Sequence, residues 1–305
     1  KADFTGYFTW SQAGGESGGV LRFDEMAFTG PAGYVEGLNG RLAFTSLAPL
    51  ISEPGQALTV RRVVSVVPLK DARVAMQFAG DYLKLEAAQV TSEGGDFALA
   101  PMEVPFDIAK GFAGELRFEQ VDFGKVVESS PFTKEVDFDG KVSGKWPFEF
   151  RDGKLSIRKG YLLGEGPGRV SILRSGVKDV AADGAAAASA GASTTEAPPN
   201  AILGMAYQAM EHLAYEEMSA TVNTDDKGLL NFNFRITGRY DPPEKRETRI
   251  GLVDYLRGVW MEKPLDLPSG TPVNLNLEVN YNLDEFLKDY IEAQKRGGID
   301  WSKLK

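Results

Sequence analysis

Apolar residues recur at every second position in short runs separated by glycine-containing turns. This period of two constrains the fold more than any other feature of the chain. Leu21 and Phe23 alternate with Arg22 and Asp24, and Val74, Met76 and Phe78 with small or polar neighbours. Val35 to Phe44 reads as two strand pieces about an Asn39-Gly40 turn, and Tyr82 to Glu86 follows a Gly80-Asp81 turn. Leu116, Phe118, Val121 and Phe123 continue the theme, followed by Val136, Phe138 and Val142, then Trp146, Phe148 and Phe150. Asp152-Gly153 turns the chain into Leu155 and Ile157, and Val170 and Ile172 close this half. Later come Leu230, Phe232, Phe234 and Ile236, then Val273, Leu275, Leu277 and Val279, each set alternating with polar residues. Alternation sends apolar side chains to one face of a sheet and polar ones to the other. No strand–helix–strand rhythm and no fixed repeat appears, which disfavours a parallel α/β sheet, a propeller and a strict β-helix. The expected class is all-β, mainly antiparallel. Its apolar faces must meet a second sheet or line an open groove, and periodicity alone leaves both available.

Interruptions divide the chain into residues 1–176, an insertion at 177–200, and residues 201–305 continuing the same β-structure. Val177 to Asn200 is rich in Ala, Ser, Thr and Pro, buries almost nothing, and reads as a flexible surface insertion. Ile202, Met205, Ala206, Ala209, Met210 and Leu213 have helical spacing behind an Asn200 cap. Ile250, Val253, Leu256 and Trp260 suggest a second short helix. Leu283 to Ile291 suggests a third, capped by Asn282 and stopped at Gly297-Gly298.

The chemistry in the sequence is sparse. With 305 residues and a net charge of −9, the chain lacks the basic balance of a nucleic-acid binder. It has no cysteine and a single histidine, His212, which nearly excludes thiolate chemistry, histidine metal clusters and triads. No run approaches the roughly 20 apolar residues of a spanning helix, and the start at Lys1 shows no signal peptide. Gly14 to Gly19 lacks the lysine and helix of a phosphate loop. Gly164-Glu165-Gly166-Pro167-Gly168 imitates a dinucleotide fingerprint but is broken by Pro167 and reads as a tight turn. Asp137 and Asp139 read as a solvated strand face, Asp225-Asp226 as a turn, and Glu211, Glu216 and Glu217 as the charged outer face of the helix carrying His212. Arg246, Arg249, Tyr255, Arg257 and Trp260 suit either a lid over the sheet or a helix at a lipid surface, the lid being preferred. No catalytic residue, metal or cofactor is expected, and the chain does not read as an enzyme.

From Gly111 onward the chain resembles the YdbH family of AsmA-like proteins. The resemblance rests on Gly114 to Phe118 with Phe123 to Val127, on Asp139-Gly140-Lys141-Val142-Ser143-Gly144-Lys145-Trp146-Pro147-Phe148, and on Asp152-Gly153, Ile157, Gly160 and Gly164 to Gly168. It continues through Ala209-Met210-Glu211-His212-Leu213-Ala214-Tyr215, Gly228-Leu229-Leu230, Gly238 and Val273-Asn274-Leu275-Asn276-Leu277, in the family's order. Tyr240-Asp241-Pro242 departs from the pattern, residues 243–271 look inserted, and the first hundred residues match only in style. The resemblance implies an elongated, twisted, open half-pipe of β-strands in the periplasm of a Gram-negative bacterium, bridging inner and outer membranes and anchored through parts outside this chain. It implies phospholipid cargo in a hydrophobic groove, and a small outer-membrane lipoprotein (YnbE in the family) that adds a strand near the C-terminal end. The expected groove residues are Phe138, Val142, Trp146, Phe148, Leu155, Ile157, Val170, Ile172, Leu230, Phe232, Phe234 and Ile236. The expected partner strand carries Val273, Leu275, Leu277 and Val279. The rival readings are an outer-membrane barrel, a closed all-β binding or scaffold module, and a carbohydrate-active β-fold enzyme.

Overall fold

The structure is a computed structural model that describes residues 1–12, 14–30, 33–64, 68–128, 136–172, 208–243 and 268–282. The first half holds β1 (Ala2–Ser11), β2 (Gly14–Gly30), β3 (Gly33–Leu47), β4 (Leu50–Ser52), β5 (Gln56–Val64), β6 (Leu69–Phe78), β7 (Tyr82–Ser92), β8 (Asp96–Leu99) and β9 (Met102–Pro105). A short turn of 3-10 helix at Ile108–Lys110 leads into β10 (Phe112–Asp122) and the single-turn helix α1 (Phe123–Glu128). Then follow β11 (Val136–Asp139), β12 (Lys141–Arg151), β13 (Lys154–Ile157), β14 (Gly160–Gly164) and β15 (Gly168–Ile172). The last described strands are β16 (Leu213–Thr224), β17 (Leu229–Tyr240) and β18 (Pro272–Asn282).

Every pairing is antiparallel. The ladder runs β1-β2-β3-β5-β6-β7-β8-β10-β12-β14-β16-β17-β18, with β4 beside β3, β9 beside β7, β13 beside β12, and β11 and β15 paired next to β16. Among the described residues β1 pairs only with β2 and β18 only with β17, so the sheet is open and not a closed barrel. Strands stacked at ~4.8 Å make this ladder roughly 60 Å long.

Register shows that one face is apolar from end to end. Directly paired residues share a face. Ala2, Phe23, Gly40, Leu58, Val74, Ala88, Leu99, Leu116 and Trp146 form one unbroken cross-strand row. The neighbouring row of the same face continues Val90, Phe97, Phe118, Gly144, Leu162, Ala220, Phe234 and Leu277. The opposite face carries Thr59, Arg73, Gln89, Ala98, Arg117, Lys145, Tyr161, Thr221, Asn233 and Glu278. A bulge between Phe118 and Val121, with Gln120 at a φ of 50°, bends β10 while returning Val121 to the apolar face opposite Val142.

Three local expectations are corrected. Asn39-Gly40 is not a turn: β3 runs straight through it. The Asn39 side chain instead donates to Glu25 from within the strand. A Cβ at Gly40 would lie 2.6 Å from the Ala57 carbonyl, so glycine permits close strand approach here and does not reverse the chain. The helix expected as far as Leu213 stops earlier. Residues 208–211 are helical, His212 is a turn, and Leu213 opens β16, so Glu216 and Glu217 lie on a strand. Phe123 begins α1 and does not extend β10. The insertion at 177–200 and the expected helices at 250–260 and 283–291 lie outside the described residues.

Candidate functional site

The expected groove residues come from five strands and share the apolar face. Phe138 pairs with Val170 and Val136 with Ile172. Phe148 pairs with Ile157 and Phe150 with Leu155. Trp146 lies opposite Leu116 and Val142 opposite Val121. Leu230, Phe232, Phe234 and Ile236 lie opposite Thr224, Val222, Ala220 and Met218. Val273, Leu275, Leu277 and Val279 pair with Gly238, Ile236, Phe234 and Phe232, so β18 extends the same surface. One edge of β18 is taken up by β17 along its length, and the other has no strand partner among the described residues.

Strongly buried side chains line the middle of this surface. Val121, Val142 and Val222 are 0% exposed, Leu213 and Tyr215 1% and Leu162 2%. None of these except Val142 was named from the sequence as a groove residue. In β16 the bulge between Tyr215 and Glu217 breaks the period of two, which hides Leu213, Tyr215, Met218, Ala220 and Val222 as one strand face. Rings also meet over an intervening strand. Phe44 of β3 and Phe78 of β6 lie 5.3 Å apart with β4 between them. Trp146 of β12 reaches Phe232 of β17, with centroids 6.1 Å apart, across β14 and β16. Ala209 and Met210, from the helical residues 208–211, are buried in the same cluster.

Tyr215 is the most constrained member of this surface. It stacks on Phe138 at 5.8 Å, and a Cβ at Gly140 or Gly168 would lie 2.0 or 2.3 Å from its hydroxyl. Those two glycines therefore make the slot that holds the ring. Burial, with a smaller contribution from the charge on Asp139, pushes the phenol up to about 12.

The polar face has ordinary surface electrostatics. Glu115 accepts from Lys145 at 2.8 Å and from Arg117 at 2.6 Å. The Lys145 contact holds its carboxyl below the usual range, against partial desolvation. Arg169 pairs with Asp241 at the rim of a 300 Å³ hollow shared with Asp137, Asp139, Glu211 and His212. Among the described residues no group of His, Asp or Glu is placed to hold a metal ion, and no helix is long and apolar enough to cross a membrane.

These features define a class: an open antiparallel sheet with one continuous apolar face and a polar back. A family model described as YdbH-like, intermembrane phospholipid transport protein YdbH, matches residues 2–289. The chain belongs to the YdbH-like family. The match reaches well into the first hundred residues, where the sequence motifs alone carried only a likeness of style. No curated protein and no solved structure matches the chain. By its description the family is one of intermembrane phospholipid transport proteins and not of enzymes.

Proposed function

We propose that this chain is the C-terminal stretch of a bridge-like conduit that carries phospholipid across the periplasm with the acyl chains held on the apolar face. The observation that carries this reading is the apolar face built from two adjacent, overlapping cross-strand rows, Ala2 to Trp146 and Val90 to Leu277, at right angles to the strands. A lipid moving along these rows exchanges one apolar contact for the next. Every CH₂ kept from water is worth ~0.8 kcal/mol, so a gap in the row would act as a barrier. The wall comprises Phe138, Val142, Trp146, Phe148, Leu155, Ile157, Val170, Ile172, Leu230, Phe232, Phe234 and Ile236, together with the inner side of β18. The headgroup travels at the open side, in water.

The edge of β18 that has no strand partner among the described residues suits strand addition by a small outer-membrane lipoprotein, because unpaired backbone groups template a further strand. The family resemblance supports such a partner, and Val273, Leu275, Leu277 and Val279 would then carry the wall onward into it. Mass spectrometry of organic extracts from the purified chain tests the conduit. Co-purifying diacyl phospholipid supports it; a lipid-free extract from protein expressed in a Gram-negative envelope counts against it. Single cysteines at Asn274, Asn276 and Glu278, scanned against cysteines in the candidate partner, test the strand. Disulfides in a two-residue register are expected.

A further inference from the structure

Four residues inside strands have a left-handed backbone: Glu25 of β2, Gly37 of β3, Asp71 of β6 and Gln120 of β10, at φ of 44°, 67°, 53° and 50°. Glu25, Asp71 and Gln120 each carry a Cβ, which disfavours this region. The first three fall in one row. Pairing of Glu36 with Arg62 and of Leu38 with Val60 sets Gly37 opposite Arg61. Pairing of Arg62 with Lys70 and of Val60 with Ala72 sets Arg61 opposite Asp71. Glu25 joins the row through Arg61, at 3.0 Å. Asn39 pins it there: its Oδ1 accepts from the Glu25 N–H at 2.9 Å, and its Nδ2 donates to the Glu25 carboxylate at 2.6 Å. Register breaks accompany the row in β2 and β6, and recur at Gln120 in β10. Each such bulge bends its strand. Apolar side chains nevertheless keep to one face across it, for Val35 and Leu38 are both buried, as are Phe118 and Val121. The row is a fold line in the sheet, at right angles to the strands, with Glu25, Arg61, Asp71 and Gln120 exposed along it.

The fold line divides the apolar face into unequal walls. In β6, Ala72, Val74, Met76 and Phe78 climb from the line to the rim, while only Leu69 and Lys70 lie beyond it. Val90, Ala88, Leu85 and Leu83 of β7 climb beside them. Six residues of strand, from Ala72 to Phe78, make the tall wall about 20 Å high. A bilayer leaflet, half of a hydrocarbon core of roughly 30 Å, is about 15 Å deep. The tall wall therefore has the height of one acyl chain with its ester. It is also within reach of a ligand. Ala72, Val74, Ala88 and Val90 at its foot, and Phe78 and Leu83 at its top, are half-buried, with Met76 and Leu85 packed down between them. We propose that the acyl chains lie along the strands of this wall, methyl ends at the fold line beside Ala72 and Val90, ester ends at the rim beside Phe78 and Leu83. The proposal rests on the conduit reading above and adds the orientation of the cargo. Asp71, whose left-handed backbone turns β6 at the line, is a positioning residue for the foot of the wall.

The test uses two phosphatidylethanolamine probes with the same chains, one bearing a diazirine near the methyl end and the other a diazirine next to the ester. Each is loaded onto the full chain and photolysed, and the adducts are mapped by mass spectrometry. The methyl-end probe should label Ala72 and Val90, and the ester-end probe Phe78 and Leu83, a displacement of about 20 Å between the two maps. Maps that coincide, as for chains lying across the strands, or maps in the reverse order overturn the orientation and leave the conduit standing. Adducts from neither probe overturn both. Two variants test the fold line itself. Asp71→Gly takes the left-handed backbone without steric cost and should keep the methyl-end map. Asp71→Val, with a branched Cβ that opposes this conformation, should spread the methyl-end adducts past the line to Leu69. Should Asp71→Val fail to fold, Asn39→Ala replaces it, because it releases Glu25 with no steric demand and should spread the map in the same way. A methyl-end map unchanged in the folded variant overturns the role of the fold line.

Discussion

The apolar face is one surface by register, yet its two ends are packed differently. At the N-terminal end, in β1, Phe4, Phe8 and Trp10 are 52%, 66% and 79% exposed. Leu58 and Val60 of β5 and Val74 of β6 are half-buried, while Leu42 of β3 and Met76 of β6 are buried. From β10 onward the same face closes on itself. A single cluster joins Phe118, Val142, Leu162, Tyr215, Ile236 and Leu275 with Ala209 and Met210. The strand pattern is alike in both halves, so alternation does not account for the difference. Side-chain bulk and added cover do. The C-terminal half sets Trp146, Phe148, Phe232 and Phe234 around small residues such as Gly144, Gly160 and Ala220, and the helical residues 208–211 bring two more apolar side chains to it. Alternation therefore decides which face is apolar, and local volume decides whether that face is open or filled.

The sharpest break in this comparison is a charge placed at each end. Val222→Asp puts a carboxylate at a fully buried position and should cost about 3–5 kcal/mol, enough to unfold the C-terminal half or nearly so. Phe8→Asp, on an exposed edge, should change stability by less than about 1 kcal/mol. Chemical denaturation of the two variants measures the contrast, and equal losses would erase it. A cavity gives the next largest effect. Leu162→Ala should cost about 2–4 kcal/mol, whereas Leu58→Ala should cost clearly less, because its site is already partly open to solvent.

The slot around Tyr215 offers a finer probe. Gly168→Ala drives a methyl into the hydroxyl and should destabilise by about 1–3 kcal/mol, with part of that loss recovered in the double variant Gly168→Ala, Tyr215→Phe. The smallest effect is on titration. Tyr215 should ionise only near pH 12. Its raised folded-state pKa means that the unfolded chain loses this proton first. The contribution of the neutral phenol is therefore intact below about pH 10 and is lost as pH rises from 10 towards 12. Absorbance titration of wild type against Tyr215→Phe reads this directly.

Much of the fold was legible in the sequence because its strands obey a clean period of two. β12, β13 and β17 were readable residue by residue, and so was the shared face of Phe148, Ile157 and Phe232. The C-terminal strand was legible too, and its inner side proves to extend that same face. What escaped was irregular. The bulges in β10 and β16 shift the phase by one residue; Val121 is still read as an apolar strand position, but its groove role is missed, and Tyr215 falls out of the strict alternation altogether. Met205, Ala206, Ala209, Met210 and Leu213 satisfy helical spacing, yet only tertiary pairing with Val170 and Tyr240 shows that Leu213 is the first residue of a strand. Asn39-Gly40 carries the local signature of a hairpin, and long-range pairing with β2 and β5 overrides it. The closeness of Trp146 to Phe232 depends on curvature across several strands, which no local window contains.

The central claim is that acyl chains ride on one face of this sheet and not on the other. Photo-crosslinking residues placed at the neighbouring pairs Phe148/Glu149 and Phe232/Asn233 test it most directly, because each pair differs by a single residue and points to opposite faces. The account predicts phospholipid adducts in living cells from positions 148 and 232 and none from 149 and 233. Equal capture from both members of each pair, or capture confined to the polar face, would contradict it.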